Sequence, residues 1–339
     1  MRTSTMQNSG RRVLRSLSRC RPRVLIACAA LWLASAGWSS LAAADGFEAK
    51  KAGFAVAYNN EVSPFRDAAA FVLPRETMTL QVTEGPAGEY TLKTNAGLVN
   101  PAGPRKWRWN APAEPGVYDL RFEGSNVKES IELHVFVMVP ATAVKDGMLN
   151  GYRIGQYPTK PLNGAIYHPP AGFVEVTKKN EDTKVSPHFR LKQFLCKQGP
   201  PDQFPKYLVL HERLPLKLEA ALQLANSLGF DADTLYVMSG YRTPFYNHAI
   251  GDVRYSMHQW GSAADVFVDT HKKGVMDDLT RDGHVDLQDA KFLYDAIERL
   301  LAQPGFQRFQ GGMGYYPATA AHPPFVHVDV RGTKARWKG

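Results

Sequence analysis

The stretch Tyr255–Asp269, YSMHQWGSAADVFVD, sets an imidazole, His258, seven residues ahead of a carboxylate, Asp265. An apolar alternation begins at the carboxylate, as in a strand whose side chains point to alternate faces. The segment FVHVDV has the same design: His327 and Asp329 share one face, and Val326, Val328 and Val330 take the other. If the two strands are neighbours, a carboxylate and an imidazole meet across the sheet, and His258 joins from the preceding loop. Two imidazoles and one carboxylate are a zinc set that leaves a fourth position open for water. The plainer alternative is a structural hydrogen bond between a histidine and an aspartate. Repetition of one design in two strands favours the metal, because a buried carboxylate needs a cation or a donor.

A second cation is suggested further on. DLTRDGHVDLQD, Asp278 to Asp289, follows the spacing of an EF-hand loop, with oxygens from Asp278, Thr280, Asp282, Asp286 and Asp289, a sixth from the His284 carbonyl, and Gly283 at the sharp turn. Such an oxygen set suits calcium rather than zinc. The last position is Asp where an EF-hand has Glu, and the alternative is an acidic turn capping the helix that follows. Gly311, Gly312 and Gly314 have the look of a phosphate loop, but no helix follows them, so tight turns beside the cleft are expected.

The elements that must position these residues are readable in outline. LKLEAALQLANSLGF has helical spacing and a C-capping glycine, Gly229; TLYVMS reads as a strand leading into SGYRTP; DAKFLYDAIERLLAQPGF is a second helix closed by Pro304 and Gly305; PPFVHVDVRG is the last strand. Helices between separated strands predict a compact α+β domain over 206–339. From about 46 to 140 the pattern is different. TMTLQV, EYTLKT, KWRWNA, VYDLRF and SIELHVFVMV are short strands broken by EGPAGE, NPAGPR and AEPG. This predicts an all-β, immunoglobulin-like sandwich over 45–140, without the cysteine pair of that fold. Residues 141–205 are loop-rich and read as a connector packing against the second domain.

SMHQWGSAAD fits the S-x-H-x-x-G-x-A-x-D pattern of the zinc D-alanyl-D-alanine peptidases and their relatives among murein endopeptidases and hedgehog domains. SGYRTP upstream and GGMGYY…FVHVDVRG…RW downstream match in order, so residues 206–339 resemble this family, closest to its murein endopeptidase K-like branch. The resemblance implies a hedgehog/DD-peptidase fold, zinc held by His258, Asp265 and His327, and hydrolysis of peptide bonds next to D-amino acids in peptidoglycan stems. Zinc in such a site acidifies water and polarises the scissile carbonyl. Many members place an acid three residues before the last histidine; here that residue is Pro324. The candidate base is then Asp329, with His322 second, and Asp329 alternatively orients Arg331 or a zinc ligand. Arg242 is suited to a bidentate grip on a substrate carboxylate, and Ser256 to a substrate hydrogen bond or to capping its turn. The competing function is a non-catalytic wall-binding or scaffolding protein that keeps the metal for structure, a reading fed by Pro324.

The chain has 339 residues, 44% apolar, and a net charge of +9. The charge does not point to nucleic acid. Seven arginines and no acid lie in the first 44 residues, and removing those seven from the 41 basic residues leaves 34 against 32 acids. That leader, basic and then apolar (VLIACAALWLASAGW) with small residues at Ala42 and Ala44, has the parts of a secretory signal cleaved before Asp45. Export to a periplasm or cell envelope is expected, with peptidoglycan as partner and no integral membrane segment after cleavage. Cleavage would remove Cys20 and Cys28 and leave Cys196 alone, so the fold must rely on burial, for which about 295 residues suffice.

Overall fold

The computed structural model describes residues 47–158 and 165–339; the expected leader, with Cys20 and Cys28, lies outside them. No helix among the described residues is long and apolar enough to cross a membrane. Cys196 is a buried free thiol.

The N-terminal part is a sandwich of two sheets. Its strands are β1 (Lys51–Tyr58), β2 (Glu61–Phe65), β3 (Asp67–Val72), β4 (Thr77–Glu84), β5 (Tyr90–Thr94), β6 (Leu98–Gly103), β7 (Lys106–Asn110), β8 (Gly116–Gly124) and β9 (Ile131–Val137). One sheet runs β2-β1-β4-β7-β6, the other β3-β9-β8-β5. Every pairing is antiparallel except β3 with β9. The apolar alternation of β4 turns Met78, Leu80 and Val82 inward, where they meet Trp109, Leu120, Phe122 and Leu133. Trp109 settles its one polar atom by donating from Nε1 to the Ala96 carbonyl at 2.9 Å.

The C-terminal part is built on a five-stranded sheet. Its spatial order is Leu235–Ser239, Ala263–Val268, Phe325–Asp329, Gly312–Tyr316, Ala335–Lys338. Helices α1 (Arg213–Ser227) and α3 (Leu287–Leu301) pack on one face; the short helix α2 (Pro244–Ala249) lies in the connection between the first two strands. Val266, Val268, Val326 and Val328 join Leu218, Leu222, Leu293 and Ile297 in the main core. The alternation that aims these valines at the helices aims Asp265 and His327 away from them. Gly229 follows α1 with φ 88°, the left-handed conformation that ends many helices. Thr243 caps α2 by accepting from the Tyr246 amide at 3.0 Å, with Pro244 at the first helical position.

The two parts share a core. Phe65, Ala69 and Phe136 of the sandwich belong to the same buried cluster as the valines of the second sheet. Across the junction Arg213 pairs with the buried Glu61 at 2.6 Å, and Asn59 donates to Glu212 at 3.1 Å. The stretch after the sandwich adds a short antiparallel sheet of Val139–Pro140, Gly172–Val176 and Lys206–Leu208.

Candidate metal centre

His258 is carried by the 3-10 turn Met257–Trp260, and three details hold that turn. Gly261 ends it with φ 61°, and a Cβ at Gly261 would overlap the Val209 carbonyl. Tyr157 donates to the Gln259 carbonyl at 2.8 Å, and Trp260 Nε1 to the His168 carbonyl at 3.0 Å. The loop-rich stretch before the second domain is therefore a brace for the His258 turn. Nothing in the sequence pattern announced that, because single hydrogen bonds to carbonyls leave no periodicity.

Asp265 and His327 lie directly opposite one another on neighbouring antiparallel strands. His258 Nε2, Asp265 Oδ1 and His327 Nδ1 converge: the two nitrogens are 3.2 Å apart, and the carboxylate oxygen is 3.2 Å from the first and 2.9 Å from the second. All three residues are buried, at 2%, 3% and 7% exposure. This is the one group among the described residues whose His, Cys, Asp or Glu ligand atoms gather closely enough for a metal ion.

The far side of each ring decides what the near side offers. His258 Nδ1 lies 2.6 Å from the Gly240 carbonyl, which can only accept, so that nitrogen carries the proton. His327 Nε2 faces Asp329 Oδ2 at 3.4 Å and donates to it. In the neutral rings, then, His258 Nε2 and His327 Nδ1 are both lone pairs. Two lone pairs and an anionic oxygen aimed at one point repel unless a cation or a proton sits among them. Two nitrogens and one oxygen, each imidazole fixed by an outer acceptor, fit zinc.

Without a cation, a proton on His327 Nδ1, shared with Asp265, fills the same point. Burial pushes the His258 pKa down. Burial pushes Asp265 up, but His258 and His327 hold it well below the usual carboxylate range. Burial also works against a charged His327, yet its hydrogen bonds to Asp265 and Asp329 raise it.

The other expected site residues fall in different places. Asp329 is fully buried: its Oδ1 accepts from the Gly312 and Arg331 amides at 2.7 and 3.0 Å, and its Oδ2 from Arg331 Nη2 at 2.5 Å. The Lys217 ammonium, its pKa lowered to about 7 by burial, donates to the Asp329 backbone carbonyl at 2.8 Å. Asp329 thus stands behind His327, on the opposite side of the ring from Asp265. Arg242 donates once from each of its three nitrogens, to Asp265, Asp252 and Ser239. Ser256 is buried at the start of the 3-10 turn, where its hydroxyl makes no capping bond. His322 donates from Nδ1 to the Pro323 carbonyl at 2.9 Å and packs edge-on against Phe325, and this leaves Nε2 as an acceptor.

Two expectations need correcting. The glycines of GGMG are not tight turns: Gly312–Tyr316 is a strand, in which Gly312 and Gly314 leave room for Asp329 and Trp337. The calcium loop finds no support either. Asp278 takes the amides of Arg281 and Gly283 at 2.6 and 2.8 Å, and Asp282 that of His284 at 2.9 Å. Asp289 is buried and takes those of Leu279, Thr280 and Asp286 at 2.7, 3.0 and 2.8 Å, while Thr280 Oγ1 donates to it at 3.2 Å. Asp286 and Asp289 form the capping box of α3. The spacing of an EF-hand is here the spacing of a self-bonded turn that starts a helix.

Residues 192–292 match the family model described as Peptidase M15. The matched span carries Arg242, His258 and Asp265 and ends before His327, which the sheet register brings to the M15-like segment. The resemblance read in the sequence and this match therefore point to the same family through overlapping residues. No curated protein matches the chain. A solved structure, a nucleoside hydrolase-related hypothetical protein from Saccharophagus degradans associated with carbohydrate metabolism, aligns at 13% identity over 26% of this chain, with a TM-score of 0.18. The chain spans only 25% of that structure's length, and a likeness at this level carries no argument.

Proposed function

We propose that this chain is an exported zinc peptidase that hydrolyses peptide bonds next to D-amino acids in peptidoglycan stem peptides or cross-links. The observation that carries the reading is the convergence of two imidazole lone pairs and one carboxylate oxygen, with His258 and Asp265 inside the segment similar to Peptidase M15. Zinc bound by His258, Asp265 and His327 would supply an acidified water and a polarised carbonyl. The chain's own residues then divide the remaining work. Gly240 holds the His258 tautomer through its carbonyl, and Asp329 holds that of His327, with Arg331 and the Gly312 amide fixing Asp329 in turn. Asp329 is a positioning residue in this reading, because Oδ1 is taken by the Gly312 and Arg331 amides and Oδ2 by the Arg331 guanidinium and His327. His322 takes the role of base, since its Nε2 keeps a free lone pair and Pro324 offers no acid.

The N-terminal domain reads as immunoglobulin-like. In its support, one sheet orders its strands first, fourth, seventh and sixth, as A, B, E and D would lie, and β9, β8 and β5 lie as G, F and C. A second function is favoured by one observation: position 324, where many members of the resembled family place an acid, is Pro324. On that alternative the domain binds wall polymer without cutting it and keeps the metal for structure.

Purified murein incubated with the mature protein, with chelator, and with chelator followed by zinc, separates the two. Soluble fragments that vanish with chelator and return with zinc support the peptidase. Sedimentation with intact murein and no fragments in any arm supports the binding protein.

A further inference from the structure

Asp265 has two carboxylate oxygens with separate duties. Oδ1 faces the two imidazoles; Oδ2 accepts from Arg242 Nη2 at 2.6 Å. The other arm of the guanidinium, Nη1, reaches Asp252 Oδ2 at 2.6 Å, and Nε donates to Ser239 Oγ at 2.9 Å. Arg242 is thereby clamped in a planar fork between two carboxylates, with its side chain 13% exposed.

Asp252 is itself built into place. It follows α2, its Oδ1 accepts from the Val253 amide at 2.7 Å, and its own amide donates to the Asn247 carbonyl at 3.1 Å. The buried Asn247 closes the loop by donating to the Val253 carbonyl at 3.0 Å. The residue also carries a charge consequence. Asp265 is the one anion among the three ligands, and the contact with Arg242 offsets it. Asp252 offsets Arg242 in turn, so the group keeps one net negative charge for a cation; without Asp252 it would be neutral. Attraction between charges this close is strong in a dry site.

We infer that Asp252 is a positioning residue for the metal ligand Asp265, acting through Arg242 by fixing the guanidinium and restoring negative charge to the site. This rests on the metal reading above. Loss of an outer partner of a metal ligand typically costs 10–100-fold in metal affinity or activity.

The test is zinc affinity by competition with a chromophoric chelator, measured beside the melting temperature of the metal-free protein. Asp252→Ala is expected to weaken zinc about 10–100-fold. Asp252→Asn, which keeps an acceptor for Arg242 but not the charge, should fall between, and Asp252→Glu should recover most of the loss. With Arg242→Gln already in place, Asp252→Ala should weaken zinc far less than it does in the wild type, because the path through the guanidinium is gone. At saturating zinc, turnover by Asp252→Ala should approach that of the wild type. A wild type that takes up no zinc overturns the functional reading and this inference together. A wild type that binds zinc while Asp252→Ala binds it equally well overturns the inference alone, whether the variant melts lower, which would make Asp252 a loop cap, or loses turnover, which would put it in contact with reactants.

Discussion

Replacing Asp329 by Asn separates a base from a positioning residue, and the structure sets the size of each effect. The substitution keeps one acceptor oxygen and puts an NH2 in place of the other. If that oxygen stays on the Gly312 and Arg331 amides, 2.7 and 3.0 Å away, the new NH2 faces the Arg331 guanidinium and the N–H of His327. Two donors then meet a donor, and a buried ion pair is broken from one side. Such a break costs about 3–5 kcal/mol, and loss of the outer acceptor of a metal-binding histidine costs about 10–100-fold in metal affinity. Asp329→Asn should therefore melt well below the wild type and hold zinc weakly, and zinc added in excess should restore part of its turnover. Zinc titration, thermal unfolding and murein digestion on the same preparation check this. If the variant instead binds zinc with wild-type affinity, melts normally and has lost turnover, the reasoning fails: Asp329 would then be acting on the reactants.

Three further outcomes are expected. The His258→Ala, His327→Ala double variant should bind no stoichiometric zinc, as read by metal analysis after gel filtration; retained zinc would move the site elsewhere. His322→Ala should lose most turnover while keeping zinc, because its free Nε2 is the acceptor left beside Pro324; near-normal rates would remove His322 as base. In the sandwich, His134 lies 2.7 Å from Asp119 and 3.7 Å from Asp67, and though burial opposes its charge, these hydrogen bonds raise its pKa from 6.5 to about 9. Its folded value lies above its unfolded one, so the stabilisation is fully present below pH 6.5 and is lost as the pH rises through about 9. The gap corresponds to at most about 3.4 kcal/mol. His134→Gln should melt lower than the wild type at pH 6 and converge with it by pH 10, and a constant difference across that range would refute the pairing.

The parts of the site that were legible in the sequence are those carried by strand alternation. A polar residue in an apolar alternation marks a face, and two such strands need only be neighbours for Asp265 to meet His327; the observed register puts them opposite each other. Spacing misled where one arrangement of oxygens serves two purposes. Asp278, Asp282, Asp286 and Asp289 stand where an ion would need them, but a turn that must satisfy its own amides before α3 needs them there as well. Sequence spacing does not distinguish an ion from a row of N–H groups.

Asp252 was illegible for a different reason. It sits in IGDVR, a loop with no periodicity, and its importance comes from a guanidinium ten residues away that touches Asp265 with its other arm. Arg242 itself was visible, and a substrate carboxylate was the natural partner to assign to an arginine in a peptidase-like segment. The structure gives that arginine two carboxylates of its own. Three of its five N–H groups are taken by these bonds and the one to Ser239, and through one of them it fixes the direction in which the Asp265 carboxylate points.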